Sequence, residues 1–304
     1  MNGYAEDGDY IVDTWLLDTD FSFEFGEHQD LPKLNKEQLR FILAVKAGKI
    51  KYVAAKIAEG FDVNFCTAWR GNPLCTAIEN SRLDIAKLLL DSGAHTENAL
   101  HLACLRSNID LVSMLLSYGA NPNAVGHGVG EDIPACFIFA LHVAQPLTIV
   151  LKLIEAGADV NAMCCQTLWT PLHLVCNSPA HSADIVQAIL RAGGMAHHRD
   201  KHTGWTPLQH AAMRSDRKII QLLIAAGYPI HREVMPLKDL HPSLLSDLEL
   251  INFLKQAWSN PYSLKKLCAA LIRKCLGGCK MQDKLLQLPL PKYLMKYVAL
   301  EVLL

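Results

Sequence analysis

The sequence predicts an all-α solenoid of about six stacked helix pairs plus a truncated seventh, followed by a small C-terminal helical unit. Three observations carry this expectation. Closing elements recur as Gly60-Phe-Asp-Val-Asn64, Gly93-Ala94, Gly119-Ala-Asn-Pro-Asn123, Gly157-Ala-Asp-Val-Asn161, Gly193-Gly194 and Gly227-Tyr228, spaced by 33, 26, 38, 36 and 34 residues. Opening elements precede most of them: Asn72-Pro73-Leu74, Asn98-Ala99-Leu100-His101, Thr170-Pro171-Leu172-His173 and Thr206-Pro207-Leu208-Gln209. After Asn260-Pro261 the period stops, and a different apolar pattern runs to the C-terminus.

Residues 1–35 form an N-terminal extension. Its first thirty residues hold nine acids and no Lys or Arg, together with Tyr4, Tyr10, Trp15, Phe21, Phe23 and Phe25. Two readings stay open: a solvated, disordered leader with a short helix near residues 11–18, or a leader whose aromatics anchor it along a groove of the stack.

Residues 36–235 hold the repeats. Where it is present, a Thr-Pro or Asn-Pro pair caps and starts a helix, because proline is tolerated in a first turn whose amides are unpaired anyway. A second amphipathic helix follows, as in residues 110–116 and 218–224, and a glycine ends it in a left-handed conformation. His101 and His173 are expected to bond neighbouring backbone. The spacing of 26 predicts a hairpin shortened around residues 95–98, and residues 177–182 lengthen the inter-helix turn of the fifth repeat. The fourth repeat carries Cys136-Phe137-Ile138-Phe139 in place of Thr-Pro-Leu-His. The glycine-rich run 125–132 has no lysine or strand-to-helix setting for a phosphate loop, so a hairpin tip is expected there. Residues 236–258 are a truncated capping repeat with its helix over 247–257, since a last repeat must cover the final apolar face.

Residues 259–304 begin a separate unit. Leu264, Cys268 and Ile272 recur every four residues, which on a helix gives one narrow stripe, headed by Ser263 as N-cap and stopped by Gly277-Gly278. Leu288-Pro289-Leu290-Pro291 cannot continue a helix and is expected to lie as a stiff extended ledge.

The 304-residue chain is 51% hydrophobic and 19% charged, with a formal net charge of −1. Its basic residues are dispersed, which speaks against a nucleic-acid partner. No secretory or membrane-spanning pattern opens or closes it, so a cytoplasmic or nuclear address is expected. Most of the ten cysteines fall in apolar helical patterns, as reduced core thiols would.

The repeats resemble ankyrin repeats, and the C-terminal unit resembles the SOCS box, with its Leu-x-x-x-Cys-x-x-x-aliphatic segment followed by Leu-Pro-aliphatic-Pro. Together they are the layout of the ankyrin repeat and SOCS box family. That resemblance implies a non-catalytic substrate-recognition adaptor of an E3 ubiquitin ligase, needing no cofactor or metal. Elongin C, with elongin B, would bind Leu264, Leu267, Cys268, Leu271 and Ile272; cullin-5 with its RING subunit would bind Leu288, Pro289, Leu290 and Pro291. The repeats would hold an unknown protein substrate, with candidate contacts at Trp69, Arg70, His127, Trp169, His198, Arg199, Lys201, His202 and Trp205. Trp169 and Trp205 have a second reading as packing residues.

Two other functions fit parts of the sequence. A scaffold or inhibitor would bury Leu264, Cys268 and Ile272 inside the chain. A metal or thiol enzyme would use Cys164, Cys165, His181, His197, His198, His202, Cys275 and Cys279, yet none of these stands at a recognised zinc spacing.

Overall fold

The computed structural model describes residues 34–65, 72–96, 98–124, 126–127, 132–133, 146–163, 168–178, 182–214, 216–226, 249, 251–252, 255–256, 264–276 and 281–299. Residues 1–33, Trp69, Arg70, residues 136–139, Ser263 and residues 277–280 lie outside these.

Short helices alternate in length along the chain. They are α1 (Lys36–Ala47), α2 (Ile50–Ala58), α3 (Pro73–Glu79), α4 (Leu83–Asp91), α5 (Ala99–Leu105), α6 (Ile109–Ser117), α7 (Pro146–Glu155), α8 (Pro171–Asn177), α9 (Ala183–Arg191), α10 (Pro207–Met213) and α11 (Arg217–Ala225). Helices of seven to nine residues do not persist alone in water; their stability comes from stacking. One row packs α1 on α3 and α3 on α5, then α8 on α10; a second packs α2 on α4, then α6 on α7, α7 on α9 and α9 on α11. A continuous core from Phe41 to Ile251 lies between the rows.

Side-chain caps or first-turn prolines set the starts of α1, α3, α6, α8, α10 and α11. Asn35 and Gln38 exchange hydrogen bonds in a capping box (2.7 and 2.9 Å), and Asn72, Asn108 and Asp216 cap α3, α6 and α11 through their side-chain oxygens. Pro73, Pro171 and Pro207 occupy first-turn positions. Gly60, Gly93, Gly119, Gly157 and Gly193, from five of the six closing elements, have φ between 81° and 100°, and Gly227 lies outside the described residues. The shortened hairpin is closed by Asn98 at φ 57°, and α5 starts directly after it. In the glycine-rich insertion, β1 (Gly126–His127) pairs antiparallel with β2 (Asp132–Ile133), as a hairpin requires.

The closing asparagines rivet one repeat to the next. Asn64 donates to Gly93 O (3.1 Å) and accepts from His95 N (2.7 Å). Asn123 does the same with Gly157 O (3.0 Å) and Asp159 N (2.6 Å), and Asn161 with Gly193 O (3.1 Å) and Met195 N (2.7 Å). Each amide therefore satisfies one backbone acceptor and one donor that the hairpin cannot pair locally.

Five residues of the span 236–258 are described. Glu249, Ile251, Asn252, Lys255 and Gln256 are helical, and Ile251 is buried in the main core. Glu249 also pairs with Arg217 of α11 at 2.6 Å. Among the described residues the C-terminal unit has three helices, α12 (Leu264–Leu276), α13 (Met281–Leu286) and α14 (Lys292–Val298), with α12 packed on both others.

Because Asn161 makes two bonds across a repeat boundary, Asn161→Ala should cost roughly 2 kcal/mol of stability. Asn161→Asp, which keeps only the acceptor, should cost less. Denaturant unfolding of the three proteins checks this order, and equal stability of the alanine variant would contradict it.

Candidate functional site

Two surfaces carry the residues singled out from sequence. The first is the hairpin between α9 and α10. Asp200 organises it: only 5% exposed, its carboxylate accepts from His202 N (2.8 Å), Thr203 N (2.6 Å), the Thr203 hydroxyl, Trp205 N (3.2 Å) and His210 Nε2 (3.1 Å). Burial alone would raise this carboxyl, but the Thr203 and His210 bonds outweigh it and hold it at about 2. With the loop fastened from below, Arg199, Lys201 and His202 stand exposed on its outer side. Arg199 also donates to Gly204 O at 2.7 Å.

The aromatic candidates sit behind this tip. Trp169 is half-buried against the core, stacked on His173 with ring centroids 6.4 Å apart and edge-on to His210 at 5.2 Å. Trp205 is half-buried and meets His210 at 5.4 Å. His198, also half-buried, lies edge-on to His173 at 6.0 Å. His127 is in β1, paired across the hairpin with Asp132.

His173 links two repeats. The Thr170 amide donates to its Nδ1 (3.2 Å), so Nε2 carries the proton and faces Trp205 O at 3.3 Å. The ring is fully buried, and that burial, with neighbouring His210, pushes it down to about 4. His210 is also lowered by burial, with Asp200 opposing the change. At neutral pH both rings are uncharged members of a packing network. Among the described residues, no group of three or more His, Cys, Asp or Glu is placed to hold a metal ion.

The second surface is α12, whose sides face three ways. One side holds Ala269, buried in a small core with Leu285, Tyr297, Val298 and Ala299, against which Ile272, Leu276, Leu288 and Leu290 also pack. A second side holds Arg273, whose Nη2 donates to Ala226 O at the C-terminal end of α11, where the helix dipole favours a cation. Burial lowers this guanidinium to about 10, and Tyr297 works against that shift. The third side is open: Cys268 and Cys275 are exposed and Leu271 is 60% exposed. Leu264 shares this helical face by its spacing; the described side chains do not include Leu264 or Leu267. The stripe expected over Leu264, Cys268 and Ile272 is therefore rolled about the axis, with Ile272 half-turned into the unit's own core and Leu271 more exposed.

The Leu-Pro-Leu-Pro run is not the straight ledge expected: Leu290 N donates to Leu288 O at 2.7 Å, a tight turn about Pro289. Pro291 has φ −57° and ψ 142° and starts α14. Leu288 and Leu290 turn inward to the small core, which leaves Pro289 and Pro291 exposed on the other side.

The family model described as "Ankyrin repeats (3 copies)" matches residues 41–125 and 138–233. This chain belongs to the ankyrin repeat family. Putative ankyrin repeat protein YahD of Escherichia coli is 31% identical over 200 residues, covering 62% of this chain and 95% of YahD. Human ankyrin repeat and SOCS box protein 14 is 27% identical over 276 residues, covering 80% of this chain; the chain spans 40% of that relative's length. An ankyrin repeat domain from Acinetobacter baumannii is similar in fold, with a TM-score of 0.53 and 24% identity over 62% of this chain and 97% of that one. Ankyrin repeats are typically non-catalytic protein-interaction scaffolds.

Sequence reasoning missed Asp200 and Arg273. Asp200 is one carboxylate in a polar loop, and nothing local reveals that five donors converge on it. Arg273 read as a charge on an amphipathic helix; only the position of Ala226, distant in sequence, shows its role.

In this ankyrin stack the neutral histidines predict acid sensitivity. An unfolded histidine takes up a proton near pH 6.5, whereas folded His173 refuses it until about pH 4. Stability should accordingly be lost as pH falls across that interval, by up to about 3 kcal/mol from this residue. His173→Gln, which copies the Thr-Pro-Leu-Gln of the next repeat, should flatten the decline in thermal midpoint between pH 7 and 4.5. An unchanged slope would show that His173 is not a source of it.

Proposed function

We propose that the chain is the substrate-recognition adaptor of an elongin B/C–cullin-5–RING E3 ubiquitin ligase, with its ankyrin repeats holding a target protein and its C-terminal unit acting as a SOCS box. The observation that carries this reading is the open side of α12. Cys268 and Leu271 are exposed on a helix whose other sides are satisfied by Ala269 packing and by the Arg273 bond to Ala226. An apolar face left over after a unit has closed its own core suits a partner's groove. A scaffold whose last helix merely capped the stack would turn Cys268 inward.

Further support comes from the likeness to ankyrin repeat and SOCS box protein 14, which covers more of the chain than the repeats occupy. The exposed Pro289 and Pro291 beside the inward Leu288 and Leu290 give the second segment a stiff outward edge suited to cullin-5. On this reading the chain does no bond chemistry. It raises the effective concentration of a target lysine at a ubiquitin-charged enzyme, and the transfer becomes locally unimolecular. The tip bearing Arg199, Lys201 and His202 is the first substrate contact to examine, because its cations stand outside a loop already held rigid by Asp200.

Affinity capture from cells tests the assignment. Cys268→Ser with Leu271→Asp alters two exposed positions and should leave the fold intact, yet reduce recovery of elongins B and C about ten-fold or more. Pro289→Ala with Pro291→Ala should reduce cullin-5 while elongins persist. Unchanged recovery in both variants would leave a repeat-built binder without a ligase.

A further inference from the structure

The two ends of the stack are finished differently. At the C-terminal end Ile251 enters the core and Arg273 reaches Ala226. At the N-terminal end α1 packs on α2 and α3 with one side, through Phe41, Ile42, Ala44 and Val45, and presents the other outward. Terminal repeats ordinarily carry a polar outer face. Here that face has an apolar ridge: Leu39 and Leu43, one turn apart, are 49% and 55% exposed. Ile50 and Tyr52 of the same repeat are also exposed. By helical spacing, Lys36 and Arg40 flank the ridge on one side and Lys46 on the other, all exposed.

The segment that ends beside this ridge has the opposite chemistry. Residues 1–33 carry nine carboxylates against one lysine, and Phe21, Phe23 and Phe25 alternate with polar residues. Were these residues extended, alternate side chains would share one side, and the three rings would make a single apolar edge bordered by Asp18, Asp20, Glu24 and Glu27. The nine residues from Phe25 to Leu34 reach roughly 30 Å, and α1 is only about 18 Å long. The leader can thus turn back over the helix it precedes. A tether this short keeps the rings at a local concentration on the order of millimolar.

We propose that the chain caps its own N-terminal end: Phe21, Phe23 and Phe25 cover the Leu39–Leu43 ridge, and the leader's carboxylates face Lys36, Arg40 and Lys46. The first repeat is then completed by the leader, as the last is completed by the capping helix. This cap is independent of the ligase reading, because it uses neither the concave tips nor α12.

Photo-crosslinking in the full-length chain tests the cap. With p-benzoylphenylalanine in place of Phe23, irradiation should give an adduct of monomer mass, mapped by mass spectrometry to the peptide spanning residues 36–47. Leu43→Glu in the same chain changes an exposed side chain and should lower the adduct yield about ten-fold. Circular dichroism of that variant should match the parent. Attachment to another repeat, attachment to a second copy, or no adduct would overturn the proposal.

Discussion

Each described helix of the stack buries its apolar side in a core shared with its neighbours. None of the seven-residue helices can stand alone, so order spreads along the stack from neighbour to neighbour. Asn64, Asn123 and Asn161 make that dependence specific: each fills one donor and one acceptor of the following hairpin. An architecture of this kind always leaves two unfinished faces. Ile251 and the Arg273 contact close one of them, and the Leu39–Leu43 ridge marks the other.

The same constraint separates stability from recognition. Residues that hold repeats together point between the helix rows or along the hairpin stems; what remains outward is free to differ. Around the hairpin after α9, Trp169, His173, Trp205 and His210 form the interior support, and Asp200 gathers the loop onto it. Arg199, Lys201 and His202 are then held out by a rigid base at little conformational cost on binding. In α12 the division is sharper, since one helix serves a small core, the end of the stack and an open face at once.

The repeat fold was legible because its signals are local backbone requirements. A left-handed glycine, a first-turn proline and a capping Asn or Thr are needed wherever the unit recurs, and Gly93, Pro171 and Thr206 do what their positions imply. The shortened hairpin was readable from spacing alone, and Asn98 shows how it closes. The roll of α12 about its axis was not readable. A four-residue stripe through Leu264, Cys268 and Ile272 fixes a helical face only to within one neighbouring position, and packing of Ala269 against Leu285 and Tyr297 decides that Leu271 faces out while Ile272 turns in. Likewise a tryptophan before Thr-Pro-Leu reads equally as an anchor or a packing residue until His173 and His210 are seen against Trp169. Long-range partners such as Ala226 for Arg273 leave no trace in local pattern.

We propose that the open side of α12 exists for another polypeptide. Light scattering on a sizing column, with the purified full-length chain mixed with the elongin B–elongin C pair, measures this most directly. A single species with the summed mass of one copy of each chain is expected. Separate elution of the chain and the elongin pair would contradict it.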